Sequence, residues 1–279
     1  MNITLSLVIG CLLFVFTAAV IAGALIHRLQ LRRSRADPEQ TLGGEGMSAA
    51  VGFVGGAAAF LLGVLMLASV DHYNETKTIV ADEALAYSAA FDSTAGLIHP
   101  DQTRIQRDLI CLMRSVATNS WAAAEGQDLT GSDNTHTWRE RAFADTSAAL
   151  PTTKVQENSV AQVQAALIDA SKAGQQRLLG SESDLPVPLW LLVAVSIFVL
   201  TAALTALLLN HPSRLNAVIA LASVLIVTMA MLWTLTAFSE PFARDGVYIP
   251  PRAVNAVMVR MQKSYPNADW GPCEILADN

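Results

Sequence analysis

The chain has 279 residues, of which 52% are hydrophobic and only 15% charged, with a mean hydropathy of +0.39. Soluble domains carry about 25% charged residues, so this balance points to a membrane protein. The net charge is -6 and the water-exposed segments are acidic, which excludes nucleic acid as a partner because a phosphate backbone wants a basic face.

The first apolar run is Ile3 to Ile26. About 20 residues at roughly 1.5 Å rise cross a hydrocarbon core of about 30 Å, so this run suffices for a span. A secretory signal would want a basic start and a shorter apolar core of about 7–15 residues. Here only Met1 and Asn2 precede the run and the basic residues come after it, which favours an uncleaved anchor. Arg28, Arg32, Arg33 and Arg35 come directly after. Such clusters stay on the cytoplasmic side and fix topology, with anionic lipid binding as a second use. Asp37-Pro38-Glu39 and Gly43-Gly44 read as a loop.

Met47 to Ile98 organises the rest. Ser48 to Val70 carries no charge and reads as the second span. Ala49, Gly52, Gly56, Ala59 and Gly63 recur on one face of it. Small residues let another helix approach closely, since cohesion in lipid comes from van der Waals contact. That face either packs within the subunit or surrounds a symmetry axis as a pore lining or oligomer core. Beyond Val70 the sequence turns polar but keeps an apolar stripe of Val80, Ala84, Tyr87, Phe91, Thr94 and Ile98 in steps of four and three. The span is therefore expected to continue as a water-exposed helical stalk.

His99-Pro100-Asp101 breaks the stalk. Three more helices come next, with a Gly-, Asp- and Ser-rich loop from Gly126 to Asn134 after the first. Asp101 to Glu125 presents Ile105, Leu109, Leu112 and Val116. Thr135 to Leu150 has Trp138 and Phe143 as core candidates. Thr153 to Leu179 turns Val160, Val163, Leu167 and Ala170 inward. These faces can close into a bundle with a thin, Ala-rich core. The third and fourth spans, Val187 to Leu209 and Asn216 to Phe238, form a hairpin whose short turn carries Arg214. Trp190 and Trp233 then fall near the outer interface, where indole rings are favoured. After Glu240-Pro241-Phe242 and Pro250-Pro251, Ala253 to Gln262 is amphipathic through Val254, Val257 and Met261. It should pack on the bundle or lie at the membrane surface.

Alternation of the spans places both termini and the segment from 71 to 186 outside the cytoplasm. From Asp71 to Asp184 there are sixteen acids against nine Lys and Arg. Cys111 and Cys273 then share an oxidising side and can pair, the alternative being two free thiols. Cys11 lies within the first span. His27, His72, His99, His136 and His211 are scattered, and no cluster of metal ligands, cofactor motif or catalytic pattern is apparent. Asp82 and Glu83 read as solvated stalk residues. None of the four spans contains Asp, Glu, Lys, Arg or His, which argues against an ion-coupled carrier but leaves room for a passive pore.

The layout resembles a bacterial family of bestrophin-like membrane proteins. The likeness rests on Asp71-His72-Tyr73 and Asp82-Glu83-Ala84 after a Gly-rich second span, and on Asn119-Ser120-Trp121. It continues through Arg177-Leu178-Leu179, Leu185-Pro186, Leu189-Trp190 and Glu240-Pro241-Phe242. The resemblance implies a distant relation to bestrophin anion channels, oligomers whose second span lines the pore. That role would fall here on Gly52, Phe53, Gly56, Phe60 and Gly63. In bestrophins the domain between spans two and three is cytoplasmic, whereas the arginines here place it outside.

The expectation is thus an all-α, four-span, non-enzymatic protein of the cell membrane that self-associates in the lipid bilayer and needs no cofactor. Its expected parts are 1–70, an extracytoplasmic bundle at 71–186, a hairpin at 187–238 and a tail at 239–279. Passive conduction of small anions is the leading reading. An accessory or scaffolding subunit docking another membrane protein through its bundle is the other.

Overall fold

The computed structural model describes residues 3–36, 44–126, 133–181, 187–209, 214–244, 246–266, 268, 270 and 273. The expected breaks at Asp37-Pro38-Glu39, at 127–132 and at 210–213, and the Leu185-Pro186 motif, lie outside them. Every regular element among the described residues is helical. The order is α1 (Ile3–Ala36), α2 (Gly44–Ser93), α3 (Asp101–Ser115), α4 (Trp121–Gly126), α5 (Asp133–Ala148), α6 (Lys154–Leu179), α7 (Val187–Leu208), α8 (Arg214–Ser239) and α9 (Arg252–Ser264). They divide into two units, residues 1–71 with 184–239 and residues 72–183 with 240–279, and α2 contributes to both.

Among the described residues two stretches are long and apolar enough to cross a membrane, Val51–Gly96 and Val218–Ser239. Phe14–Leu29 and Leu191–Ala206 are shorter apolar stretches of α1 and α7. α1 does not end at Ile26. It stays helical through the arginines to Ala36, because nothing before Pro38 breaks it.

The first unit coheres through small residues. α1 and α7 run side by side, with Ala19 and Gly23 buried on one and Thr201, Ala202, Thr205 and Ala206 buried on the other. A Cβ on Gly23 would sit 2.5 Å from the Ala202 carbonyl oxygen and 2.7 Å from Thr205 Cβ, so the helices approach closely only because this residue is glycine. Leu65, Val193, Ile197, Leu232 and Leu235 form a small cluster joining α2, α7 and α8. The Ser69 and Ser239 hydroxyls meet at 3.3 Å beside it.

In the second unit α3 is central. Ile105, Leu109, Ile110, Leu112 and Met113 are fully buried over a broad face of the helix, with α5 and α9 packed against it and Arg104 and Arg107 exposed on the opposite side. The α2 stripe is buried at Val80, Ala84, Tyr87, Phe91 and Thr94, but Ile98 is 57% exposed. The helix ends at Ser93, a tight 3-10 turn over Thr94–Gly96 redirects the chain, and Leu97 enters the core instead.

The helix expected from Asp101 to Glu125 is interrupted. A π-helical turn over Val116–Ser120 separates α3 from α4. The wider turn shifts the register of α4 against that of α3, and both Ser120 and Trp121 are buried. At the start of α6 the Thr153 hydroxyl accepts from the Gln156 amide, while the Gln156 side chain accepts from the Thr152 amide at 2.7 Å. That reciprocal cap fixes the entry of the helix. α9 packs Val254 and Met261 into the core, and a disulfide between Cys111 and Cys273 ties the tail to α3.

Candidate functional site

The sequence motifs come together around one buried ion pair. Glu83, on α2, and Arg177, on α6, are 0% and 1% exposed. The Arg177 Nε donates to Glu83 Oε2 at 2.7 Å, and its Nη2 donates to the Ser120 hydroxyl at 2.8 Å. The guanidinium lies 4.5 Å from the Trp121 ring centroid. Trp121 in turn stands edge-on to Phe242 and donates its indole N–H to the Ile249 carbonyl at 3.0 Å. The fragments Asp82-Glu83-Ala84, Asn119-Ser120-Trp121, Arg177-Leu178-Leu179 and Glu240-Pro241-Phe242, distant in sequence, thus each supply a residue to this assembly.

The reading of Glu83 as a solvated stalk residue is therefore corrected; only Asp82 is exposed. Glu83 lies three residues after Val80 and four before Tyr87, on the stripe that faces inward. A carboxylate there must be paired to be tolerated. Arg177 comes after Ala170 and Gly174 in steps of four and three on the inward face of α6. Gly174 makes room: a Cβ there would lie 2.9 Å from Glu83 Oε1. The Tyr87 hydroxyl is buried beside the pair. Burial first, and the Glu83 carboxylate second, push its pKa up, which keeps the phenol neutral.

An acidic pair, Asp108 and Asp145, lies between α3 and α5. Asp108 is buried, with Arg141 Nε 3.4 Å from its Oδ1, while Arg104 Nε stands 3.3 Å from Asp145 Oδ2. Burial and then the neighbouring Asp145 carboxyl push the Asp108 pKa up to about 8, against the pull of Arg141 and Arg107. Sequence reasoning missed this pair, since Asp108 and Asp145 lie on different helices.

The small-residue face of α2 belongs to the first unit. Ala49, Gly52, Gly56, Ala59 and Gly63 are all exposed in the subunit. A Cβ built on Gly52, Gly56 or Gly63 would meet no atom within 4 Å among the described residues. Phe53 and Phe60 flank them and are 79% and 76% exposed. The side of α2 turned to its own subunit carries instead Gly55, whose Cβ would touch Leu200, together with Ala58 and Leu65. Close packing within the subunit thus falls on Gly23, which sequence reasoning did not single out; the Ala19-to-Gly23 spacing of four was the available signal.

Arg28 and Arg32 are exposed on the last turns of α1, and Arg33 and Arg35 continue the same helix. Among the described residues, no three His, Cys, Asp or Glu side chains gather as a metal site would require.

A family model described as the Bestrophin-like domain matches residues 13–248. Crystal structures of a bacterial bestrophin homologue from Klebsiella pneumoniae share the fold. One, of an isoleucine-to-threonine variant, aligns with a TM-score of 0.64 at 13% identity, covering 90% of this chain and 98% of that one. Another, phased on zinc, gives a TM-score of 0.59 at 13% identity over 90% and 97%. A tyrosine-to-alanine variant gives 0.58 at 13% over 90% and 98%. No curated protein sequence matches the chain.

Proposed function

Because the chain belongs to the bestrophin-like family, whose members are membrane-embedded, we propose that it forms a closed homo-oligomer that conducts small anions passively. The observation that carries this reading is the uncovered face of α2. Ala49, Gly52, Gly56, Ala59 and Gly63 repeat at near-heptad spacing and are exposed, and among the described residues a Cβ on any of the three glycines meets no atom within 4 Å, while Phe53 and Phe60 sit one heptad apart beside them. Copies of this helix set around an axis make a path with narrow apolar rings and exposed backbone between them. Such constrictions gate by dewetting and need no ionisable group. Four spans supply the scaffold, with α1 and α7 crossing alongside α2 and α8.

Native mass spectrometry of the purified protein should give one closed oligomer, and the same preparation should pass current in planar bilayers. Phe60→Ala should raise the unitary conductance without changing the oligomer number. A protein that is monomeric and silent alone, and that copurifies with a larger membrane complex, overturns the reading.

The second unit faces the extracytoplasmic side in this proposal. The arginines at the end of α1 and the Cys111–Cys273 bridge support that placement, since disulfides persist in oxidising compartments. Asn158 is exposed on α6, so Asn158→Cys offers a reporter. A membrane-impermeant maleimide should modify it in intact spheroplasts. Modification only after the membrane is opened would invert the orientation and assign the unit to the cytoplasm, as in bestrophins.

A further inference from the structure

We infer that the outward face of α1 binds one anionic phospholipid, its headgroup phosphate between Arg28 and Arg32 and its acyl chains along Phe14, Ile21 and Leu25. The site rests on α1 crossing the membrane, as proposed above, and not on conduction or on which leaflet the arginines enter. At about 100° per residue, these five residues fall within about 60° of one another around the helix axis. Ala19 and Gly23, buried on the side packed against α7, lie opposite. Phe14, Ile21 and Leu25 are 75%, 57% and 54% exposed, and Arg28 and Arg32 are exposed past them. One uncovered stripe thus changes from apolar to cationic along its length without turning around the helix.

Depth matches as well. Because α1 stays helical to Ala36, the arginines keep a fixed place beyond the apolar run that ends at Ile26. At about 1.5 Å per residue, Arg28 comes about 3 Å and Arg32 about 9 Å farther along the axis. The headgroup layer of one leaflet is about 5–8 Å thick, so on flexible stems both guanidinium groups reach it. Side chains four apart on a helix are about 6 Å from each other, close enough for both to grip one phosphate. From His27 to Ala36 there are four arginines and no acid. Among the described residues neither Arg28 nor Arg32 forms a salt bridge. A topology signal needs charges near the end of a span at any angle. Alignment with a lipid-facing stripe suits a ligand that carries both acyl chains and a phosphate, whereas a soluble phosphate would use the arginines alone.

The test uses the full-length protein in detergent. Phosphatidylglycerol should raise the unfolding temperature along a saturable curve, and phosphatidylcholine or glycerol phosphate should not. Each arginine at an anionic headgroup is worth about fivefold in affinity, so Arg28→Gln with Arg32→Gln should weaken the phosphatidylglycerol effect about thirtyfold. A relocated variant combines Arg28→Gln, Gln30→Arg, Arg32→Ser and Ser34→Arg. It keeps composition and net charge but moves both charges to the opposite face, and should lose the preference equally. Should it fail to fold, the double Gln variant carries the test. A preference kept by either variant, an equal response to phosphatidylcholine, or a response to glycerol phosphate would overturn the site. So would a double Gln variant that binds lipid as before but loses its oligomer, since a second copy would then cover this face. In nanodiscs, a nitroxide on Ile21→Cys in a Cys11→Ser background should be relaxed more by oxygen than by a water-soluble nickel chelate. The reverse overturns the span and the site together, whereas a missing lipid preference overturns the site alone.

Discussion

The two units of this chain solve opposite problems with the same element. In the first, large apolar side chains such as Phe14, Phe53, Phe60, Leu191 and Ile226 point outward, and helices meet through Gly23, Ala19, Ala202 and Ala206. In the second, Ile105, Leu109, Leu112 and Met113 are wholly buried, and the core also admits Glu83, Arg177 and Asp108. Lipid offers no hydrophobic reward for burying leucine, so cohesion there depends on how closely backbones approach. Water does offer that reward, about 25 cal/mol per Å² of apolar surface, and the surplus can carry buried charge if each charge is paired. The second unit therefore has charge partners to lose, and the first has space to lose.

The sharpest way to break that contrast is to strand a charge. Arg177→Met leaves Glu83 buried without its counter-ion and should destabilise the second unit by about 3–5 kcal/mol. The thermal unfolding of the full chain in detergent measures it. The double variant Glu83→Gln with Arg177→Met removes both charges and should recover at least half of the loss. A double variant no more stable than the single one would mean that the packing of the arginine stem, and not its charge, dominates.

Space is the corresponding currency in the first unit. Gly23→Ala forces a methyl against the Ala202 carbonyl and Thr205, and should cost about 1–3 kcal/mol of subunit stability. Gly56→Ala adds the same methyl where none of the described residues lies within 4 Å, and should leave subunit stability unchanged. On the proposed assembly its effect appears in the oligomer distribution instead. Equal losses of subunit stability in both variants would erase the distinction between a helix face that packs inside the subunit and one left open.

These contrasts also mark how far the sequence could be read. Helix type and order were legible because the apolar runs are long and the stripes through Val80, Ala84, Tyr87 and Phe91 or Val163, Leu167 and Ala170 are regular. The family was legible from short motifs, but not the reason for them. Glu83 looked solvated because a carboxylate on a polar helix defaults to water. Only its register with Val80 and Tyr87, read together with Arg177 on the inward face of α6, gives the pair away. The π turn at Val116–Ser120 left no trace in periodicity, since a single wide turn shifts register without changing composition. Ile98 was misplaced for a similar reason: the stripe was extended past a turn that a helical count does not see. Asp108 and Asp145 meet only through the packing of α3 on α5, which no local pattern encodes.

That last pair gives the smallest effect and the most specific one. An unfolded Asp titrates near 3.9, whereas Asp108 is pushed up to about 8 by burial and by Asp145. Between those values the folded chain holds a proton that the unfolded chain has released. Linkage then makes folding stability fall as pH rises through that window, by at most about 1.4 kcal/mol per pH unit for one proton. The value of about 8 already includes the opposing pull of Arg141 and Arg107, and water reaches Asp145 and Arg141 at the edge of the pair, so a discounted loss of about 1 kcal/mol between roughly pH 5 and 7 is expected. Asp108→Asn keeps the shape and removes the proton, so its stability should be flatter across the same window and exceed that of the native protein at its upper end. The Gly23→Ala variant, altered in a helix contact without charge, should keep the native slope. A native stability that rises with pH over this interval, or an Asp108→Asn variant with the native slope, would mean that the two carboxyls share no proton and that the arginines hold both ionised.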